Sequence, residues 1–229
     1  MEIQNVVIEI TRKCQLKCAH CLRGNAQGVN IKTEYLESFF SRVKAIDTLT
    51  ISGGEPSLVP EKILEIIAIA KKHKTEIGSF YIATNAAKNP KFKSFILACM
   101  ELYMYCSDNE ISSINWSNDK YHQNEPENIR LLSILKFASE KFSKEFGLPS
   151  IIAEGRAKDF GERKVLIDSF EIDDNYQVIS EGAIYLNCKG EIIAGCDWSY
   201  RSQTKYKICD VSDLSFDRIK DYQEKKQKE

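Results

Sequence analysis

Residues 1–150 alternate short β-rich runs with longer helical patterns, and this alternation restricts the fold more than any other feature. Strands are predicted at 6–10, 48–52, 79–84, 111–116 and 149–154, and helices at 33–43, 60–72, 90–103 and 126–146. Strands separated by helices do not pair as hairpins; they pair in parallel, with each helix crossing back over the sheet. The helix at 60–72 has the clearest period, with Ile63, Ile66, Ile67 and Ala70 on one face and Pro60 and Glu61 in its first turn. Repeated βα units of this kind build a barrel or part of one, whose chemistry sits at the C-terminal strand ends. After about residue 160 the pattern changes. Residues 183–188 and 191–194 flank Lys189-Gly190 as a hairpin, and 214–229 reads as a charged terminal helix with a solvated face. The expectation is one compact α/β domain, with 1–160 as the core and 161–229 as its end plus a short extension.

At 229 residues, 43% hydrophobic and a net charge of -1, the chain has the composition of an ordinary globular protein. Near-neutral charge gives no global attraction to nucleic acid, which leaves only a local basic groove as a route to it. No apolar stretch approaches the roughly 20 residues that span a bilayer. Met1-Glu2-Ile3-Gln4-Asn5 is too polar and acidic for a signal peptide. Eight cysteines without a secretion signal argue for metal binding or buried thiols rather than disulfides, and so for the reducing cytoplasm.

Cys14, Cys18 and Cys21 follow the first predicted strand with the spacing C-x3-C-x2-C. Zinc sites and fully ligated clusters usually take four protein ligands. Three close thiolates with no fourth at a matching spacing suggest a [4Fe-4S] cluster with one iron open. The next strand ends in Ser52-Gly53-Gly54-Glu55-Pro56. Here glycines let backbone approach a ligand, Glu55 offers a carboxylate to an ammonium group, and Pro56 stiffens the exit. Alone, the same residues make a simple strand-to-helix turn.

The two motifs together resemble the radical S-adenosylmethionine superfamily, closely over about residues 1–155 and only loosely beyond. The resemblance implies a partial (β/α)6 TIM-like barrel carrying a short C-terminal β-hairpin and helix extension. It implies a [4Fe-4S] cluster on Cys14, Cys18 and Cys21, whose open iron chelates S-adenosyl-L-methionine. Gly53, Gly54, Glu55 and Pro56 then hold the methionyl amine, and His20 takes a position near the adenine. Reductive cleavage of the sulfonium C–S bond would give a 5′-deoxyadenosyl radical that abstracts hydrogen from a substrate, with the electron supplied by a reductant such as a flavodoxin or ferredoxin.

Further stretches fit the resemblance less tightly. Ser117 and Asp119 resemble a Ser-x-Asp element that meets the ribose or methionine carboxylate; the plain alternative is a turn or helix cap. His122 either faces the substrate or is structural. Arg156, in Gly155-Arg156-Ala157, either pairs with the methionine carboxylate or a substrate acid, or forms a structural salt bridge. Cys188, Cys196 and Cys209 resemble cysteine-bearing extensions that hold auxiliary clusters in peptide-modifying relatives. The usual later pair is missing, so a second cluster is not the favoured reading and buried thiols are. Cys99 and Cys106 read as core. The leading function is radical modification of a peptide or protein. Alternatives are modification of a nucleotide-like or other small metabolite, activation of a glycyl-radical enzyme, and an iron–sulfur electron carrier or regulator. A membrane is not an expected partner, and nucleic acid is disfavoured.

Overall fold

A computed structural model of the chain describes residues 1–119, 121–141, 151–161, 170–173, 177–180 and 182–226. Parallel strands β1 (Glu2–Thr11), β2 (Ala45–Gly53), β3 (Glu76–Thr84), β4 (Ser113–Ser117) and β5 (Ala138–Lys141) lie side by side in chain order. Helices α1 (Thr33–Phe40), α2 (Pro60–His73), α3 (Phe92–Tyr105) and α4 (Pro126–Ser133) form the crossovers. On the other side of β1, strand β8 (Ile184–Leu186) pairs with it in parallel, followed antiparallel by β9 (Glu191–Ala194) and β10 (Lys207–Asp210). A short pair, β6 (Phe170–Ile172) and β7 (Gln177–Ser180), joins the start of β1 through β7. Helix α5 (Phe216–Lys226) ends the described chain.

The strand order is that of a partial (β/α) barrel, and among the described strands no pairing links β5 to β10. Because β1 is the central strand, both of its faces are covered, and residues 6–11 are buried without alternation. One face joins the main core with α1, α2 and α3 through Leu36, Phe39, Ile63, Ile66, Phe95 and Leu102. The other contributes Val7 to a smaller cluster with Tyr185, Ile193 and Trp198. Helix α2 begins on Pro60, carries Glu61 in its first turn, and stops at Lys74, whose φ of 57 is left-handed.

The expected hairpin at 183–188 and 191–194 is present, with Ile184 opposite Ala194 and Leu186 opposite Ile192. It is fused to the sheet through β1. The segment after residue 126 differs from expectation. The helix stops at Ser133 and 138–141 form strand β5 on the edge of β4, while residues 142–146 of the expected helix lie outside the described residues. Phe137 decides the matter: it stacks on Tyr103 with ring centroids 4.2 Å apart and meets Phe80 at 6.0 Å. That contact turns the chain toward the open edge of β4, and tertiary pairing overrides helix propensity. Of the strand expected at 149–154, residues 149 and 150 lie outside the described residues, and 151–154 form no named strand.

A charged network is sealed beneath the end of β1. Glu9 and Arg12 are 0% and 1% exposed and paired at 2.6 Å. Glu9 also accepts from the Tyr185 hydroxyl at 2.6 Å and the Cys188 backbone N–H at 2.9 Å, while Arg12 donates to Gln203 at 2.6 Å. Burial pushes the Glu9 carboxyl up, but the Arg12 charge and the Tyr185 and Arg12 hydrogen bonds outweigh it and hold it below its ordinary 4.5. Its contribution to stability is therefore complete above that value and is lost as pH falls through the depressed one. Glu9→Gln leaves Arg12 buried without its counter-charge and should cost about 3 kcal/mol in urea denaturation at neutral pH. The gap between wild type and variant should hold above pH 4.5 and close below it; a gap independent of pH would show that Glu9 is not ionised in the fold.

Candidate functional site

The C-terminal ends of β1, β2, β3 and β4 converge on one cavity of about 170 Å³. After β1, the chain turns through the cysteine loop, and Cys14, Cys18 and Cys21 all line this cavity. All three are unpaired and half-buried. The Cys21 N–H donates to the Cys18 carbonyl at 3.2 Å, and the Cys21 carbonyl accepts from Gly24 at 3.2 Å, so the loop coils upon itself. Burial pushes the Cys14 thiol up to about 11, and burial with the neighbouring Cys21 raises Cys18. These thiols stay protonated at neutral pH unless a cation compensates the charge.

Gly53, Gly54 and Glu55 close the second side. Besides lining the cavity, the glycines press against the cysteine loop. A Cβ on Gly54 would lie 2.3 Å from the Lys13 carbonyl oxygen, and one on Gly53 would lie 2.3 Å from that of Thr11. Their bareness lets the β2 exit press on the backbone that enters the cysteine loop, where Gly54 donates to Thr11 and Glu55 to Lys13, each at 2.8 Å. Glu55 is 1% exposed. Its carboxylate accepts from Thr84 Oγ1 at 2.6 Å and from the N–H groups of Asn85 and Ser57 at 2.8 and 3.1 Å. It thereby ties the β2 exit to the β3 exit. Pro56 opens a short 3-10 turn that leads into α2.

The β3 exit supplies a residue not anticipated from the sequence, Asn85, which lines the cavity and directs Nδ2 to Cys14 Sγ at 3.7 Å. The following residue, Ala86, takes a left-handed φ of 47, a strained conformation for a residue with a Cβ. The signal lay in position: Thr84-Asn85-Ala86-Ala87 leaves the third strand where the cysteines and glycines leave the first two.

Ser117 and His122 line the cavity from β4. Asp119 is turned into its own loop instead, where Oδ1 accepts from the Tyr121 N–H and meets His122 Nδ1, both at 2.8 Å. His20 meets Tyr121 at a tilt of 38° with ring centroids 4.3 Å apart, and His122 edge-on at 5.3 Å. Its buried Nδ1 has no partner among the described residues, and burial with His122 lowers its pKa, favouring the neutral ring. His20, Asp119 and His122 have donor atoms within 4.8 Å of one another, close enough to share a cation. The Asp119–His122 contact already satisfies that pair without one.

Arg156 grips the cysteine loop. Its Nε donates to the Cys18 carbonyl at 2.8 Å, its backbone N–H to Cys21 at 2.9 Å, and its Nη1 to Asn25 at 3.4 Å. Gly155 permits this, since a Cβ there would sit 2.2 Å from the Leu22 carbonyl oxygen. Tyr200, also unanticipated, closes the cavity from the C-terminal part. It is 8% exposed, Arg12 lies 4.3 Å over its ring, and its hydroxyl has no partner among the described residues. The later cysteines stand elsewhere: Cys188 and Cys209 in the main core, Cys196 beside the smaller cluster. Cys99 and Cys106 are in the main core, as their apolar setting implied.

No family model matches the chain. No curated protein matches it. Among solved structures it is similar to native anSMEcpe with bound AdoMet and Cp18Cys peptide, at a TM-score of 0.61 and 12% identity over 98% of this chain and 82% of that one. It is also similar, at a TM-score of 0.37 and 13% identity over 85% of this chain and 60% of that one, to Streptococcus suis SuiB bound to precursor peptide SuiA. The second superposition is too loose to carry an argument. The first is a likeness of fold. No helix among the described residues is long and apolar enough to cross a membrane.

Two substitutions test this geometry. Gly54→Ala should destabilise by about 1–3 kcal/mol in urea, because neither the alanine nor the Lys13 carbonyl can move without breaking the strand exit. Tyr200→Phe removes a buried hydroxyl that no described group satisfies, so its melting temperature should equal or exceed that of wild type. A marked drop would reveal a partner for that hydroxyl.

Proposed function

We propose that this chain is a radical S-adenosylmethionine enzyme that acts on a peptide or protein. The observation that carries the reading is the meeting of Cys14, Cys18 and Cys21 with Gly53, Gly54 and Glu55 around one cavity at the C-terminal strand ends. The donor set fits a cluster held by three thiolates: the loop gives three unpaired cysteines, and no other cysteine lines the cavity. When bound, a [4Fe-4S] cluster and S-adenosyl-L-methionine supply one-electron cleavage of the sulfonium C–S bond and a carbon radical able to take hydrogen from a substrate.

The chain's own residues bind and orient. Cys14, Cys18 and Cys21 would hold the cluster, and Asn85 Nδ2 would donate to the sulfur of Cys14, a contact that tunes a bound metal. Arg156 and Gly155 fix the loop that carries the thiols. Glu55 positions the β2 and β3 exits against each other and leaves backbone of Gly53 and Gly54 along the cavity for the methionyl end. His20, which lines the cavity and is backed by Tyr121, offers a ring for the adenine. Ser117 offers a hydroxyl for the ribose or carboxylate, whereas Asp119 acts through His122 and its own turn. The fold shared with a protein whose structure holds AdoMet and a peptide favours a peptide over a small metabolite as substrate. The electron would come from a flavodoxin- or ferredoxin-type donor.

Anaerobic reconstitution with iron and sulfide, followed by reduction with S-adenosylmethionine present, tests the reading. Wild type should bind about four irons per chain and form 5′-deoxyadenosine, and Cys18→Ala should lose both. A Cys18→Ala chain with wild-type iron and cleavage would sink the proposal. Replacing Cys188, Cys196 and Cys209 together with alanine should leave iron content unchanged, since they lie outside this cavity; a clear drop would require a second cluster.

A further inference from the structure

We infer that the cysteine cavity is the inner end of a basic track that receives an acidic peptide segment. The inference deepens the function proposed above and rests on it for the chemistry at the inner end. A second cavity of about 590 Å³ adjoins the first, and Arg23, Gly24, Arg156 and Tyr200 wall both. Its remaining cations are Lys158, Arg201 and Lys205, and its one acid is Glu154. That carboxylate is already engaged by the Ser199 N–H at 3.2 Å and the Ser202 hydroxyl at 3.0 Å. Lys205 continues into a third cavity of about 250 Å³, where β10 and α5 add Lys207, Arg218, Lys225 and Lys226 around Asp221.

Lys158, Arg201 and Lys205 are exposed, and none has a carboxylate partner among the described residues. The chain's net charge is only -1, so this concentration of cations is local and not a consequence of composition. Lys158, Arg201 and Lys205, gathered on one cavity wall without a carboxylate partner among the described residues, raise the local concentration of an anion and steer its approach, whereas Lys207 is already paired with Asp210 at 2.9 Å. The cations follow joined cavities instead of converging on one point, which suits a chain carrying successive carboxylates better than a single small anion. Ser199, Ser202, Asn25 and Gln27 add hydrogen-bonding groups for an extended backbone. Where the first two cavities meet, Tyr200 forms part of both walls.

A single-stranded nucleic acid is the less suited occupant, because its bases need open aromatic faces. Tyr200 is 8% exposed with Arg12 over its ring, and Tyr206 is stacked on Trp198 at 3.5 Å. In the second cavity positive charge is therefore present without an open aromatic face among the described residues.

Fluorescence anisotropy on the full chain with a labelled Glu-Ser repeat peptide, a Gln-Ser peptide of equal length and an oligothymidine of equal charge tests the inference. The Glu-Ser peptide should bind, the Gln-Ser peptide should bind at least tenfold more weakly, and the difference should shrink as salt rises. K158E/R201E/K205E should weaken the Glu-Ser peptide on the order of tenfold or more, and K158Q/R201Q/K205Q by less. Both variants should keep the wild-type melting temperature; if the charge-reversed one does not fold, the glutamine variant and the salt series decide. Equal binding of the neutral peptide, unchanged affinity in the folded variants, or tighter binding of oligothymidine overturns the inference. Charge-dependent peptide binding by a wild-type chain that, once loaded with iron, forms no 5′-deoxyadenosine would retain the track and discard the cofactor reading. Cofactor cleavage without charge-dependent peptide binding would do the reverse.

Discussion

The Glu9–Arg12 ion pair, sealed under the end of the central strand, is the constraint on which the rest of the site depends. Two charges taken out of water are tolerated only when every remaining donor and acceptor is met. Tyr185, Cys188 and Gln203 meet them, and all three come from the C-terminal part of the chain. The pair thus couples the start of the cysteine loop to β8 and to the segment that carries Tyr200. Tyr200 itself packs beneath the Arg12 guanidinium. Satisfying the pair closes one side of the cavity.

The other sides are closed by backbone. Gly53, Gly54 and Gly155 each bring a chain segment against the cysteine loop at distances a side chain would forbid. Hydrogen bonds from Gly54, Glu55 and Arg156 then fasten the loop to β2 and to the turn at 155–157. Candidate ligand-binding side chains also serve this scaffold: Glu55 holds the β3 exit, Arg156 the loop carbonyls and Asp119 its own turn. The three thiols are left facing the cavity, with Asn85 beside Cys14.

Much of the parallel sheet was legible because its strands and helices carry their own periodicity and caps. The apolar face of α2 and the crossovers between β1 and β4 follow from local pattern alone. Strand β5 did not, since residues 138–141 pattern with the preceding helix and become a strand only because Phe137 finds Tyr103 and Phe80 across the fold. The cysteines and glycines were legible as motifs. Asn85 and Tyr200 were not, because an asparagine after a strand and a tyrosine in a distant loop have no local signature until the sheet brings them to one cavity.

By itself the sequence determined which groups can do chemistry: three thiols in one loop, bare backbone after the next strand, and a chain too close to neutral for global attraction to an anion. Residue type and short-range spacing are local properties, so they survive without a fold. The tertiary structure alone decided what those groups face. It turned the glycines toward the cysteine loop, committed Glu55 and Arg156 to scaffolding, and gathered cations from residues 23, 156, 158, 201 and 205 along joined cavities. Contacts across such separations are set by how strands pair and cores pack, which no local pattern encodes.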